Sequence, residues 1–249
     1  MNVPGAPADR GAYVALGDSI SIDDYAGGPG RGGPSLLARN RDDDFPAWQR
    51  RDLATLRPDL GFSLLAVDGG TTQSLLDGQL RRLEQAAGPP QIATLSVGGN
   101  DVLAAFGDTR RALEIVDVVH TRVTEALRRL RVLMPPERPI VVMTVYDPSD
   151  GGGDTERAGL PPWPEVVTVL GHLNAALRAA AAAHDAAVAD LHARFLGHGL
   201  SRGHPGQADA RPADRELFYC RLIEPNAWGA NAIREVLWNT LEDGPRPPA

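Results

Sequence analysis

The chain contains no lysine: all 25 of its basic residues are arginine. Schiff-base chemistry, a pyridoxal-phosphate lysine and the lysine of a Walker phosphate loop are thereby excluded. With alanine, glycine and proline abundant, the missing lysine fits a GC-rich coding sequence. Cysteine is almost as scarce. Cys220 stands alone, so no intrachain disulfide can form and cysteine-based zinc or iron–sulfur sites are ruled out. No apolar run approaches the ~18 residues that a membrane span needs. The first ten residues are polar and lack the charged-then-apolar pattern of a secretory signal, so a cytoplasmic location is expected. Excess positive charge is lacking too. The net charge of -7 argues against a general grip on nucleic acid.

What is present describes an ordinary globular protein. Hydrophobic residues make up 43% and charged residues 23% of 249 positions, enough for a sizeable core without metal or disulfide staples. Short apolar runs at 12–16, 62–67, 92–97, 140–146 and 186–191 read as buried strands. Helical patterns fill the spaces between them, at 45–56, 71–87, 109–134 and 165–183. In the longest, Val116, Val119, Val123, Leu127 and Leu130 recur at spacings of three and four. Asn226 is the expected N-cap of a last helix carrying Ile233, Leu237 and Leu241. Alternating strands and helices predict an α/β fold, with a parallel sheet covered on both faces. No linker or repeat interrupts the pattern, which predicts one domain over 1–249 with flexible ends at 1–10 and 243–249. Nothing in the pattern specifies an oligomeric state.

In such sheets, sites form beyond the carboxyl ends of the strands. The first strand ends in Gly17-Asp18-Ser19, where a tight turn can present a serine hydroxyl and a backbone N–H. The second ends in Gly69-Gly70, where bare backbone can approach a ligand. The third ends in Gly98-Gly99-Asn100-Asp101, where the asparagine amide can donate to an oxyanion. Each is also an ordinary turn former. Their order along the chain is what makes them informative.

These three blocks resemble those of the SGNH, or GDSL-type, hydrolases, and the resemblance covers nearly the whole chain. It implies a three-layer flavodoxin-like fold with five parallel strands, and hydrolysis of an ester or related acyl group in a small-molecule substrate. It places Ser19 at the nucleophile position, and Gly69 and Asn100 at the oxyanion positions. No cofactor and no metal are expected. The fourth block departs from the pattern. The family carries an aspartate, two residues, then His-Pro-Asn. Here the stretch is Arg221-Leu222-Ile223-Glu224-Pro225-Asn226, with Glu224 at the histidine position and Arg221 at the aspartate position.

A serine needs a base, and an ordinary carboxylate is a far weaker base than imidazole. A helix N-terminus and nearby Arg221 are expected to weaken Glu224 further. Glu224 and Arg221 pairing only to hold the loop is the alternative. A relocated histidine would be another solution. Of the six, His198 in a Gly-rich loop is favoured over His192, with His204 in the same loop. Asp23 and Asp24 stand near Ser19, where they could bind an amine or a metal or simply shape the turn. Arg31 could receive an acidic group. The 147–154 loop reads as a flexible lid over the fourth strand. Two other functions remain open: a non-hydrolytic enzyme using Glu224 as acid/base, and a domain that binds ligand without turnover.

Overall fold

The computed structural model describes residues 11–86, 88–156, 159–200 and 217–244. The strands are β1 Ala12–Gly17, β2 Gly61–Leu64, β3 Pro90–Ser96, β4 Ile140–Met143 and β5 Ala187–Ala189, all parallel in the order β2-β1-β3-β4-β5. A separate antiparallel pair joins β6 Tyr219–Cys220 to β7 Glu224–Pro225. The helices are α1 Gly33–Ala38, α2 Leu53–Leu56, α3 Thr72–Ser74, α4 Leu80–Glu84, α5 Gly99–Leu103, α6 Thr109–Leu133, α7 Val166–Ala182, α8 Leu191–Phe195 and α9 Ala227–Glu242. Of the expected flexible ends, 1–10 and 245–249 lie outside the described residues.

Strand side chains alternate between two cores, as the pleat requires. Val14 and Leu16 of β1, Ala93 and Leu95 of β3, and Ile140 and Val142 of β4 face α6 and α7. Tyr13, Ala15, Ile92, Val141 and Met143 face the other layer, with Leu37 of α1 and Ile233 and Leu237 of α9. The five-membered stripe read along α6 is buried as expected. These three layers make the fold α/β, with the chain order reversing between β1 and β3. That reversal opens a crevice at the sheet's carboxyl edge, between Ser19 and Asn100.

The single helix expected at 45–56 is divided. A short 3-10 turn, Pro46–Trp48, is followed by Arg50 with φ 66°, and Asp52 starts α2 afresh by accepting the Thr55 N–H at 2.7 Å. Local capping prevails over helical propensity there. The helix expected at 71–87 begins with a capping box, in which Thr71 and Ser74 satisfy one another's backbone. It then passes through a π-helical turn over Leu75–Gln79.

That turn presents Gln79 to the end of β1. Its Oε1 accepts the Gly17 N–H and its Nε2 donates to the Gly17 carbonyl, both at 2.7 Å. Asn174 of α7 treats Val145 beyond β4 in the same way, accepting its N–H at 2.7 Å and donating to its carbonyl at 2.8 Å. Both amides satisfy buried backbone where the ladder stops. Replacing Gln79 by leucine orphans both Gly17 groups. Gln79→Leu is expected to lower unfolding stability by about 2–4 kcal/mol, read by urea denaturation.

Candidate active site

The turn after β1 leaves no room for side chains. Gly17 has φ 128°, and a Cβ there would lie 1.8 Å from the Ser96 carbonyl oxygen. Asp18 caps the short turn that follows by accepting the Ile20 N–H at 3.2 Å. Its carboxylate also receives the Ser96 hydroxyl at 2.8 Å, and the Ser21 and Ser96 hydroxyls lie 2.8 Å apart. Asp18 is 2% exposed. Burial pushes its carboxyl up to about 6, against the Ser96 and Ile20 hydrogen bonds, with the Glu224 charge adding to the rise.

Ser19 follows on this rigid turn and is nearly buried. Gly70 packs against the same turn, where a Cβ would meet the Gly17 carbonyl oxygen at 2.5 Å. Gly69 takes the left-handed φ of 65° with open space beside it. Among the described residues, no acceptor engages the backbone N–H of Ser19 or of Gly69. Asn100 donates one amide hydrogen to the Gly70 carbonyl at 3.0 Å, which fixes the plane of the amide and leaves its second hydrogen unused. The turns after β1, β2 and β3 thus meet as expected. Asp101 accepts the Thr72 N–H at 2.9 Å and its hydroxyl at 2.6 Å, joining two of those turns.

Glu224 arrives from the far end of the chain on β7. The N-cap role of Asn226 is as expected, accepting the Trp228 and Gly229 N–H groups at 2.9 and 3.0 Å. Its amide also donates to the Leu217 carbonyl at 2.7 Å. β7 packs against the turn that carries Ser19. Among the described residues, no hydrogen bond closes between the Ser19 and Glu224 side chains. Oε2 of Glu224 is enclosed with no hydrogen-bond partner among the described residues.

The expected weakening of Glu224 is reversed. Burial raises its pKa, and Asp68 adds to the rise. The Ser19 hydroxyl and Arg221 oppose it without prevailing. Arg221 makes no ion pair with Glu224 within 4 Å among the described residues, so the two do not simply clasp the loop.

Other candidates are placed differently. His198 is fully buried, flat on Phe218 with ring centroids 3.6 Å apart, and its Nε2 lies 3.2 Å from Arg194 Nη1. It lines no part of the cavity beside Ser19. Stacking and burial hold this loop histidine inside the wall. His204 lies outside the described residues. Both carboxylate oxygens of Asp23 accept backbone N–H groups, from Gly32 and Gly30, each at 2.8 Å. Arg31 pairs with Asp44 at 3.3 Å. Asp23 and Arg31 therefore serve the glycine-rich loop. Among the described residues, no group of three or more His, Cys, Asp or Glu side chains could hold a metal, and no helix is long and apolar enough to cross a membrane.

Sequence reasoning missed the cavity itself. Ser19 and Asn100 line a pocket of about 120 Å³. Its walls include Val102, Leu103, Phe106, Leu160, Trp163 and Leu170. Trp163 is locked by donating to Thr109 Oγ1 at 2.9 Å and by an edge-on contact with Phe106. The expected lid does lie there but is pinned. Asp147 accepts the Ser149 and Gly151 N–H groups, and Asp150 accepts those of Gly197 and Gly199.

A flavodoxin-like sheet with a serine, two glycine-rich turns and an asparagine at its carboxyl edge defines an SGNH-type hydrolase scaffold. The chain belongs to the GDSL-like lipase/acylhydrolase family, whose model matches residues 15–231. Solved structures show the same fold at low identity. A phospholipase A1 from Streptomyces albidoflavus is 22% identical, with TM-score 0.55 over 92% of this chain and 99% of that one. An α/β hydrolase enzyme from the metagenome of Lake Arreo, Spain, is 19% identical, with TM-score 0.61 over 95% and 97%. An acetylxylan esterase from Geobacillus stearothermophilus is 16% identical, with TM-score 0.54 over 94% and 96%. No curated protein matches the sequence.

The raised Asp18 carboxyl has a consequence for stability. The folded state binds its proton up to about pH 6, whereas the unfolded chain releases it near pH 4. Stability therefore falls as pH rises through that window, by up to about 3 kcal/mol. Asp18→Asn keeps an acceptor for Ile20 and Ser96. Its stability relative to wild type is expected to rise between pH 4 and 6.5, measured by urea unfolding at each pH.

Proposed function

We propose that the protein is an acyl hydrolase in which Ser19 is the nucleophile and Glu224 the general base. The observation that carries this reading is the packing of β7 against the Ser19 turn, with a Glu224 carboxyl that is enclosed there and whose basicity burial raises. Glu224 takes the Ser19 proton as Oγ bonds to the acyl carbon, and the carbonyl electron pair moves onto oxygen. The Ser19 and Gly69 N–H groups and the second Asn100 amide hydrogen would receive that oxyanion. Collapse expels the alcohol, which takes the proton from Glu224. Water, deprotonated by Glu224, then releases the acid and restores Ser19.

The carboxylate has one advantage in this role. Once protonated it is neutral, so it does not oppose the oxyanion it has helped to form. The apolar pocket supports an aliphatic acyl group over a polar or charged one. Trp163, a buried wall residue, limits the volume open to that group.

A fluorophosphonate probe followed by intact mass measurement tests the reading. Wild type should gain one adduct and Ser19→Ala none, while Glu224→Gln should react roughly 10²- to 10⁴-fold more slowly. An unlabelled, folded wild type would overturn it and favour acid/base chemistry by Glu224 alone. Because Glu224 must be ionised, hydrolysis should fall as pH drops through a value above the ordinary carboxylate range. With p-nitrophenyl esters, Trp163→Ala should move the preferred acyl group to longer chains.

A further inference from the structure

We propose that the alcohol half of the ester is a neutral polyol, glycerol-like or sugar-like, held between Asp68 and Arg221 across the Tyr25 ring. The proposal rests on Glu224 as the base, and it concerns the side of Ser19 that the acyl pocket leaves open. The sheet order β2-β1-β3-β4-β5 sets Ser19, after β1, between two neighbouring strand ends. The apolar pocket lies on the β3 and β4 side, with Val102, Phe106, Val145 and Trp163 in its walls. Asp68 follows β2 on the other side and lines no part of that pocket. Glu224 gives its proton to the leaving oxygen, so the alcohol departs toward β7 and the groups around it.

Those groups form one connected cluster. Cys220 pairs with Glu224 in the β6–β7 hairpin, and its Sγ lies 3.6 Å from the Tyr25 carbonyl oxygen. The Tyr25 hydroxyl donates to Asp68 Oδ2 at 3.0 Å. The Arg221 guanidinium stands 5.5 Å from the centroid of the same ring. Asp68 immediately precedes Gly69, and Gly70 packs on the Ser19 turn, where a Cβ would lie 3.2 Å from Asp18 Cα. The cluster thus reaches from the strand that carries Glu224 to the glycine turn beside Ser19.

Unused hydrogen-bonding capacity decides the ligand. Among the described residues, no hydrogen bond or ion pair engages the Arg221 guanidinium, and Asp68 Oδ1 has no donor. A guanidinium only donates and a carboxylate only accepts. An anionic alcohol would meet Asp68 and Glu224, and a cationic one would meet Arg221, so both are disfavoured. A neutral polyol accepts through one hydroxyl and donates through the next, which satisfies both groups at once. Its C–H faces find partners too, since Val67 and Leu222 beside the two charges are 37% and 43% exposed. A plain alkyl alcohol would displace water from both charges without returning a hydrogen bond.

The test compares 1-monobutyrylglycerol with 2-methylbutyl butyrate, in which methyl groups replace both free hydroxyls. A butyryl ester of methyl glucoside is the third substrate and separates a sugar from glycerol. Acid release is followed by pH-stat titration. Acyl group, oxyanion hole and base are shared, so the ratio of kcat/KM values reads the alcohol alone. Wild type should favour at least one polyol ester over the alkyl ester by about 10- to 100-fold. Arg221→Gly and Asp68→Ala should each lower that ratio by about tenfold. Glycine suits the φ of 43° at position 221, so the first variant keeps the turn. A wild-type ratio of one or less overturns the proposal and assigns this side to an apolar alcohol. A ratio that neither variant moves overturns it as well, as does a labelled enzyme that cleaves none of the three esters. Fluorophosphonate labelling keeps the two readings apart. A Ser19 adduct beside a ratio of one retires only the polyol. No adduct and no turnover of any ester retires Ser19 as the nucleophile, and undiminished labelling of Glu224→Gln retires Glu224 as the base; the polyol falls with either.

Discussion

Three backbone turns at the carboxyl edge of the sheet lie closer together than side chains allow, and the site depends on that contact. Gly17 abuts the Ser96 carbonyl, and Gly70 abuts Gly17 in turn. Side chains at either point would push Ser19 away from Asn100, whose amide is oriented by the Gly70 carbonyl. The close approach strips these groups of ordinary ladder partners. Gln79 and Asn174 replace the missing strand bonds, and the Asp18–Ser96–Ser21 cluster fills the space below. Rigidity at the serine is thus obtained from amides and hydroxyls on elements far apart in sequence.

The same crowding sets the electrostatics. Asp18 and Glu224 both have raised carboxyls, with loss of water the largest cause for each. Hydrogen bonds, and Arg221 in the case of Glu224, pull the other way and are outweighed. Desolvation acts on the whole charge, whereas an exposed guanidinium is screened by water. Burial thereby raises the proton affinity of both carboxylates.

Much of the fold was legible because its signals are local. Strand runs, the α6 stripe and the Asn226 cap all depend on neighbours a few residues away. The broken 45–56 segment shows where that reading fails, since Asp52 capping and the packing of Trp48 on Trp238 depend on particular contacts. The histidines show the limit for sites. His198 sits in a glycine-rich loop that reads as a place for chemistry, yet its ring is stacked on Phe218, which no spacing rule reveals.

By itself the sequence determined the layered α/β architecture and the order of the three glycine-rich turns, since both follow from hydrophobic period and turn chemistry. It also set Glu224 and Arg221 in the fourth block, where the resemblance implies a histidine and an aspartate. Tertiary structure alone decided that β7 sets Glu224 against the Ser19 turn, that burial outweighs Arg221, and that Asp23, Arg31 and His198 serve the scaffold. Proton affinity and reach depend on which groups exclude water from a side chain, and those groups come from all along the chain.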